Sequence, residues 1–256
     1  LDASAYLNHV ELVRKSRGAE MPKELAHDPL MYQGASDAFL SGHDEVAVES
    51  EDWGIDLEAE LAVVLDDVPM GVKADKAGAY IRLFMLLNDV SLRNLIPPEL
   101  AKGFGFVHGK TWTSFAPIAV TPEELGDAWD GRRLSVQVAV RVNDHELGKL
   151  DAGEDMNFHF PRLIAHAAKS RVLRAGTILG SGTISNKVRK AGCACLAEQR
   201  ALEMIKSGAA QTPFLKFGDR VRIEAHDAAG HTVFGAIDQP IVHHTTRAQA
   251  EKPPES

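Results

Sequence analysis

Polar and apolar positions alternate along much of this chain, the period of two that marks strands with one buried face. Across 134–142 the alternation is clean, carried by Val136, Val138, Val140 and Val142, and Asn143-Asp144 then begins a turn into 145–150. Two such runs joined by turn residues predict a β-hairpin. Residues 81–87 form an unbroken apolar run of strand length, consistent with burial on both faces. Segment 30–65 reads as extended, punctuated by Gly34, Gly42 and Gly54, and Asp66-Asp67 closes its last strand. Further strands are expected at 221–225, after a turn at 216–219, and at 232–237.

Helices are fewer. One is predicted over 6–17, with His9 and Val13 about one turn apart, and one over 73–80 on alanine and lysine propensity. A third spans 160–169 with Pro161 in its first turn, and a fourth spans 197–206, stopped by Gly208. Pro97-Pro98 with Gly103, Gly105 and Gly109 marks 97–109 as a long irregular connection suited to a lid or binding loop. Strands outnumber helices, hairpins dominate the second half and no internal repeat is visible. The expectation is an α+β, mainly β domain over 1–244, followed by a polar, disordered tail over 245–256.

Composition narrows the partners. The chain has 256 residues, with Lys plus Arg 28 against Asp plus Glu 36, a formal charge of −8, and no basic cluster able to track a phosphate backbone. Nucleic acid is therefore not an expected partner. Apolar stretches are only strand-length and no secretory pattern is present, so no membrane span and a soluble, cytoplasmic protein are expected. The chain starts at Leu1 rather than Met, from which an upstream segment is expected to be missing. Cys193 and Cys195 are the only cysteines. Two positions apart on an extended chain they lack the geometry of a relaxed disulfide, so reduced, buried thiols are expected. A zinc half-site would need a second Cys pair that the sequence lacks.

Three carboxylates carry the candidate chemistry: Glu58 and Glu60 in Asp56-Leu57-Glu58-Ala59-Glu60-Leu61, and Asp89 at the end of the apolar run 81–87. Alternation puts Glu58 and Glu60 on one strand face, which crowds two anions into a small volume. On a half-wet strand such a pair is usually solvent decoration. Here Leu57, Leu61, Ala62, Val63 and Val64 surround it, and charges among apolar residues are costly unless paired or metal-bound. Hard oxygen ligands favour Mg²⁺, Mn²⁺ or Ca²⁺ and leave coordination positions open for a substrate.

Taken with Asn88-Asp89-Val90-Ser91-Leu92-Arg93, Gly109-Lys110-Thr111-Trp112-Thr113-Ser114 and Gly180-Ser181-Gly182-Thr183-Ile184-Ser185, the chain resembles the fumarylacetoacetate hydrolase family in order from about residue 6 to 225. The resemblance implies a distorted mixed β-roll of packed sheets with peripheral helices, normally a homodimer. It implies that Glu58, Glu60 and Asp89 hold the divalent metal and that Lys110 stabilises an enolate or oxyanion. Ser114 stands in that family's Thr position, and Pro117 matches its Pro. His9 falls at the catalytic His, with Glu198 rather than Glu11 as its partner. The resemblance makes Arg93 and Thr183 substrate-positioning residues, the turn amides beside Thr183 able to hold a carboxylate. Ile96 replaces a Gln and Gln33 a Lys of some relatives, which puts Tyr32 and Gln33 on a different substrate rim. The activity implied is hydrolysis of a carbon–carbon bond in a 1,3-diketo acid of the fumarylacetoacetate, fumarylpyruvate or acylpyruvate type. Alternatives are decarboxylation of a keto acid of the oxaloacetate type, hydration of a 2-hydroxydienoate, and a keto-acid-binding protein without turnover.

Overall fold

In the computed structural model, which describes residues 1–245, the alternating segments pair into two main sheets and a two-stranded ribbon. In chain order the strands are β1 (Asp2–Ala3), β2 (Met31–Tyr32), β3 (Leu40–Ser41), β4 (Val46–Val48), β5 (Ile55–Asp56), β6 (Ala59–Leu65) and β7 (Ile81–Asn88). They continue as β8 (Ser91–Leu92), β9 (Ser114–Phe115), β10 (Gln137–Val142), β11 (His145–Asp151), β12 (Ile178–Gly180), β13 (Arg220–His226) and β14 (Thr232–His243). The helices are α1 (Leu7–Lys15), α2 (Ala74–Ala77), α3 (Ile96–Leu100), α4 (Pro122–Leu125), α5 (Phe160–Ala167) and α6 (Leu196–Ser207). The expected tail lies, beyond Thr245, outside the described residues.

The first sheet is mixed, in the order β2-β1-β12-β6-β7-β9-β3, with β1–β12 and β3–β9 parallel. The second runs β11-β10-β13-β14-β4, and β5 pairs with β8. The valine alternation forms β10, and its turn closes with Asn143 at φ 51° and Asp144 at φ 65°. Both central residues are left-handed, as a tight hairpin requires, and Asn and Asp tolerate that conformation best after glycine. Mixed sheets with peripheral helices are the architecture that the sequence implied.

Several boundaries differ from expectation for local reasons. The last strand does not stop at 237 but runs to His243, through Pro240. Proline removes one donor, yet Ile241, Val242 and His243 gain a new parallel partner in β4, so the ladder continues. The 97–109 connection begins with α3, whose prolines sit in the first turn, where a missing N–H costs nothing. The helix expected over 73–80 is a single α-turn followed by a 3₁₀ turn ending at Tyr80.

The β6–β7 pair sets the layout of the site. Its register places Ala59 opposite Asn88 and Glu60 opposite Leu87. Ala59, Leu61, Val63 and Leu65 enter the main core, whereas Ala62 packs on the other face against Leu87 and Phe115. Glu60 shares that second face by alternation. On the core side, fully buried Phe84 packs its ring 4.8 Å from Trp129 and 5.6 Å from Phe160. Phe84→Ala is expected to cost about 3–5 kcal/mol, read as a lowered midpoint in urea unfolding; an unchanged midpoint would show that this aromatic cluster does not hold the sheet to α5.

Candidate active site

Three carboxylates, from β1, from β6 and from the residue after β7, converge beside β6: ligand oxygens of Asp2, Glu60 and Asp89 lie within 4.8 Å of one another. Asp2 comes from β1, held between Tyr32 of β2 and Gly180 of β12. Gly180 is what makes room, because a Cβ there would run into Asp2 Oδ1 and come within 3.1 Å of Glu60 Oε2. Gly182, at φ 80°, turns its N–H onto Glu60 Oε2 at 2.9 Å. Glu60 Oε1 and Asp2 Oδ1 are buried and lack any hydrogen-bond partner. Burial, and then the neighbouring Asp89 charge, push the Asp2 carboxyl up to about 7. Burial together with Asp2 and Asp89 raises Glu60 well above the usual carboxylate range. Converging, unpaired carboxylate oxygens of this kind fit a hard divalent cation of the Mg²⁺, Mn²⁺ or Ca²⁺ class.

Glu58, the third ligand expected from the sequence, is held by cations of the chain itself. Arg93 Nη2 donates to its Oε1 at 2.7 Å, and Lys110 Nζ donates to its Oε2. Burial alone would raise Glu58, but Arg93 and Lys110 hold it well below the carboxylate range. Lys110 also donates to Asp89 Oδ2 and to Ser91 Oγ, each at 2.7 Å, so its ammonium bridges Glu58 to the cluster. Burial works against that charge, and Asp89 and Glu58 overcome it, leaving Lys110 firmly protonated. Tyr32 donates its hydroxyl to the same Asp89 Oδ2 at 2.7 Å. Glu58, His9 and Cys195 also come within 4.8 Å of one another. That trio is a poor metal site, because both Glu58 oxygens are taken and burial keeps the Cys195 thiol protonated.

His9 Nδ1 lies 2.9 Å from Glu198 Oε2. Glu198 is fully buried on the first turn of α6, and its other oxygen accepts Ser185 Oγ, which in turn accepts Asn8 Nδ2. A His carried by one helix is thus locked through Nδ1 by a carboxylate carried by another, and Nε2 takes no part in that bond. Asp56 fastens α6 in place. Its carboxylate accepts the N–H groups of Leu196 and Ala197 at 2.8 and 2.9 Å and pairs with Arg93 Nε at 2.8 Å.

A cavity of about 530 Å³ opens over the carboxylates, lined by Asp2, Asp89, Tyr32, Gln33 and Thr113, with an apolar wall of Phe39, Leu87, Phe115 and Ile178. Three expectations need correction. Arg93 does not line this cavity but lies between Asp56 and Glu58, where it ties α6 to the Glu58 segment; that segment is a break between β5 and β6, not the continuous strand expected for Glu58 and Glu60. Ser114 is fully buried and its hydroxyl has no partner; the neighbouring Thr113 and Phe115 take the cavity face instead, because successive side chains point to opposite sides. The amides of the 180–182 turn are spent on Leu1, Leu61 and Glu60, so they cannot also receive a substrate carboxylate; Thr183, next in the chain, is buried and does not line the cavity.

Sequence reasoning missed Asp2, Asp56 and Thr113. Asp56 had a visible signal, since the alternating carboxylates Glu58 and Glu60 begin with it. Asp2 had none, because a two-residue strand is too short to show a period.

Comparison with known proteins bears on the family and the fold. A family model described as fumarylacetoacetate (FAA) hydrolase C-terminal matches residues 2–242. An oxaloacetate tautomerase of Bacillus subtilis is 29% identical over 183 residues, covering 70% of this chain and 56% of its own. A 2,4-didehydro-3-deoxy-L-rhamnonate hydrolase of a Sphingomonas species is 28% identical over 159 residues, covering 61% and 53%. The crystal structure of a fumarylpyruvate hydrolase from Pseudomonas aeruginosa, in complex with Mn²⁺ and pyruvate, superposes with a TM-score of 0.67 at 12% identity, over 95% of this chain and 88% of that one. Among the described residues no helix is long and apolar enough to cross a membrane.

The raised carboxyls have a stability consequence with a definite sign. Asp2 titrates near 3.8 in the unfolded chain and about 7 in the fold, so its stabilising effect is complete at low pH and is lost as pH rises through about 7. Metal-free protein is therefore expected to melt several degrees lower above pH 7 than near pH 5, an interval above the unfolded titration of the lowered carboxylates Glu58 and Glu203, and Asp2→Asn flattens that slope. Added Mg²⁺, Mn²⁺ or Ca²⁺ should restore the loss by binding only the folded state. Melting temperature against pH, with chelator and with each ion, checks this; a metal-free curve flat over that interval would refute it.

Proposed function

Because the chain belongs to the fumarylacetoacetate hydrolase family, we propose that it is a divalent-metal-dependent hydrolase that cleaves a carbon–carbon bond in a 1,3-diketo acid of the acylpyruvate or fumarylpyruvate type. The observation that carries this reading is the His9–Glu198 pair, a built general base beside Glu58, the carboxylate that Lys110 bridges to Asp89 of the converging cluster. The Mn²⁺ and pyruvate in the fumarylpyruvate hydrolase crystal structure support both the ion class and the keto-acid end of the substrate.

Asp2, Glu60 and Asp89 would hold the ion, with Glu58 joining if Lys110 moves off its oxygen. When bound, such an ion supplies Lewis-acid stabilisation of negative charge on the substrate oxygens. His9 Nε2 takes a proton from water, and Glu198 holds the ring and stabilises the imidazolium that results. The water oxygen adds to the distal carbonyl carbon. The bond between that carbon and the methylene then breaks, leaving a carboxylic acid, and its electron pair departs in the enolate of the keto-acid fragment. Lys110 faces the developing charge with a fixed ammonium. The imidazolium returns its proton to the enolate carbon, so one water is consumed per bond cleaved. A homodimer belongs to this reading, with exposed Phe104, Val107 and Trp112 available as contact surface; a single species at the mass of one chain in sedimentation would remove that part.

A second reading is tautomerisation of a keto acid, favoured by the oxaloacetate tautomerase among the relatives. It uses the same carboxylates and a base but consumes no water. Enol absorbance of an acylpyruvate panel and fumarylpyruvate, followed with divalent ion and again with chelator, separates the two. Hydrolysis is expected to yield equal amounts of pyruvate and carboxylic acid, with kcat lowered about 10²–10⁴-fold in His9→Ala. Faster ketonisation of oxaloacetate with no pyruvate from any acylpyruvate would replace the hydrolase by the tautomerase.

A further inference from the structure

We propose that Glu99 is the positioning residue of this site: by binding the backbone of the 106–109 turn it sets both Lys110 and Tyr32 on one oxygen of Asp89. The inference rests on the role assigned above to Lys110. Glu99 sits near the end of α3, and its two carboxylate oxygens accept four consecutive backbone N–H groups. Oε2 takes Phe106 and Gly109, each at 3.0 Å, and Oε1 takes Val107 at 3.1 Å and His108 at 2.8 Å. Four amide donors on one anion make charge-assisted bonds that a turn of this length cannot supply from its own carbonyls.

The turn is pressed flat onto α3. A Cβ on Gly109 would come within 2.5 Å of Ile96 Cγ1 and 3.1 Å of Glu99 Oε2, so only glycine allows this approach. The carbonyl of Gly109 accepts Leu92 N–H at 2.8 Å, and Lys110 bridges Ser91, which directs its side chain toward Asp89. At the other end of the turn Phe106 adopts φ 67°, a left-handed conformation that costs a bulky residue about 1–3 kcal/mol unless its surroundings hold it. In return its ring packs 4.5 Å from that of Tyr32. Tyr32 Oη and Lys110 Nζ both donate to Asp89 Oδ2, at 2.7 Å each, while Oδ1 receives only Thr113 Oγ1 at 3.5 Å. One carboxylate outside the cavity thereby decides which oxygen of Asp89 is occupied and which faces the cluster.

Glu99→Gln tests this, since it keeps the shape but leaves one acceptor oxygen and points amide donors at backbone donors. Glu99→Asp keeps the charge at shorter reach, and Lys102→Ala is an exposed control on the same segment. Three readouts are taken: amide exchange at 106–109, acetylation of lysine amines mapped by mass spectrometry, and kcat against KM. In Glu99→Gln the four amides should lose protection and Lys110, now buried, should acetylate several-fold faster relative to exposed Lys73. With an active substrate, kcat should fall about a hundredfold with KM nearly unchanged, because misplacement by an ångström is felt in the transition state. Glu99→Asp should recover part of each effect, and Lys102→Ala should match wild type. Wild-type exchange, acetylation and kcat in Glu99→Gln would overturn the proposal. If that variant does not fold, amide exchange on the wild-type protein decides: protection of all four amides supports it and rapid exchange overturns it. Exchange and acetylation need no substrate, so they remain decisive if the hydrolase reading itself fails.

Discussion

Asp56, Glu58, Glu60, Asp89 and Glu198 are all buried, and the basic side chains set among them are those of Arg93 and Lys110. An unpaired buried charge is too costly to keep, so each carboxylate must find a cation, a proton or a set of N–H donors. Arg93 satisfies Asp56 and one oxygen of Glu58; Lys110 satisfies the other oxygen and one of Asp89. Glu198 settles on His9 and Ser185. What is left over is Asp2 and Glu60, each with an orphaned oxygen and a raised tendency to hold a proton, beside the second oxygen of Asp89, which accepts only Thr113 Oγ1 at 3.5 Å; this is where a divalent ion fits. The rest of the centre follows from that imbalance.

The same charges join parts of the fold that no sheet connects. Asp56 caps the first N–H groups of α6 while gripping Arg93, so the helix that carries Glu198 is referenced to the Glu58 segment that leads into β6 and Glu60. His9 approaches from α1, and its position is fixed through Glu198 rather than through strand pairing. The His9–Glu198 pair and the carboxylate cluster, held by separate elements, keep a common geometry through such cross-links, whose strength depends on exclusion of water.

The cavity above the carboxylates divides into a polar floor and an apolar wall. Tyr32, Gln33, Thr113, Asp2 and Asp89 line the polar part, and Phe39, Leu87, Phe115 and Ile178 line the apolar part, a division that suits the proposed substrate class. A larger groove, of about 740 Å³, is lined by Lys110 together with Trp53, Leu95 and Trp112. Lys110 thus borders that groove while its buried ammonium holds Asp89 of the cavity, which makes the turn that delivers it a structural element of the site.

The sequence by itself determined the strand-rich class, the hairpin at Asn143-Asp144, the Glu-x-Glu and Asp89 carboxylates, and the pairing of His9 with Glu198 through an ordered family resemblance. These were legible because alternation is local and because ordered phrases such as Asn88-Asp89-Val90-Ser91-Leu92-Arg93 survive in linear form. Tertiary structure alone decided that Asp2 joins the cluster, that Arg93 serves as a cross-link, that Thr113 rather than Ser114 faces the cavity, and that Glu99 holds the turn before Lys110. Each of those depends on which distant segment lies alongside: a two-residue strand pairing, a helix N-terminus meeting a carboxylate, a turn laid on a short helix. Spacing along a chain carries the first kind of information, and the burial of charge among elements remote in sequence creates the second.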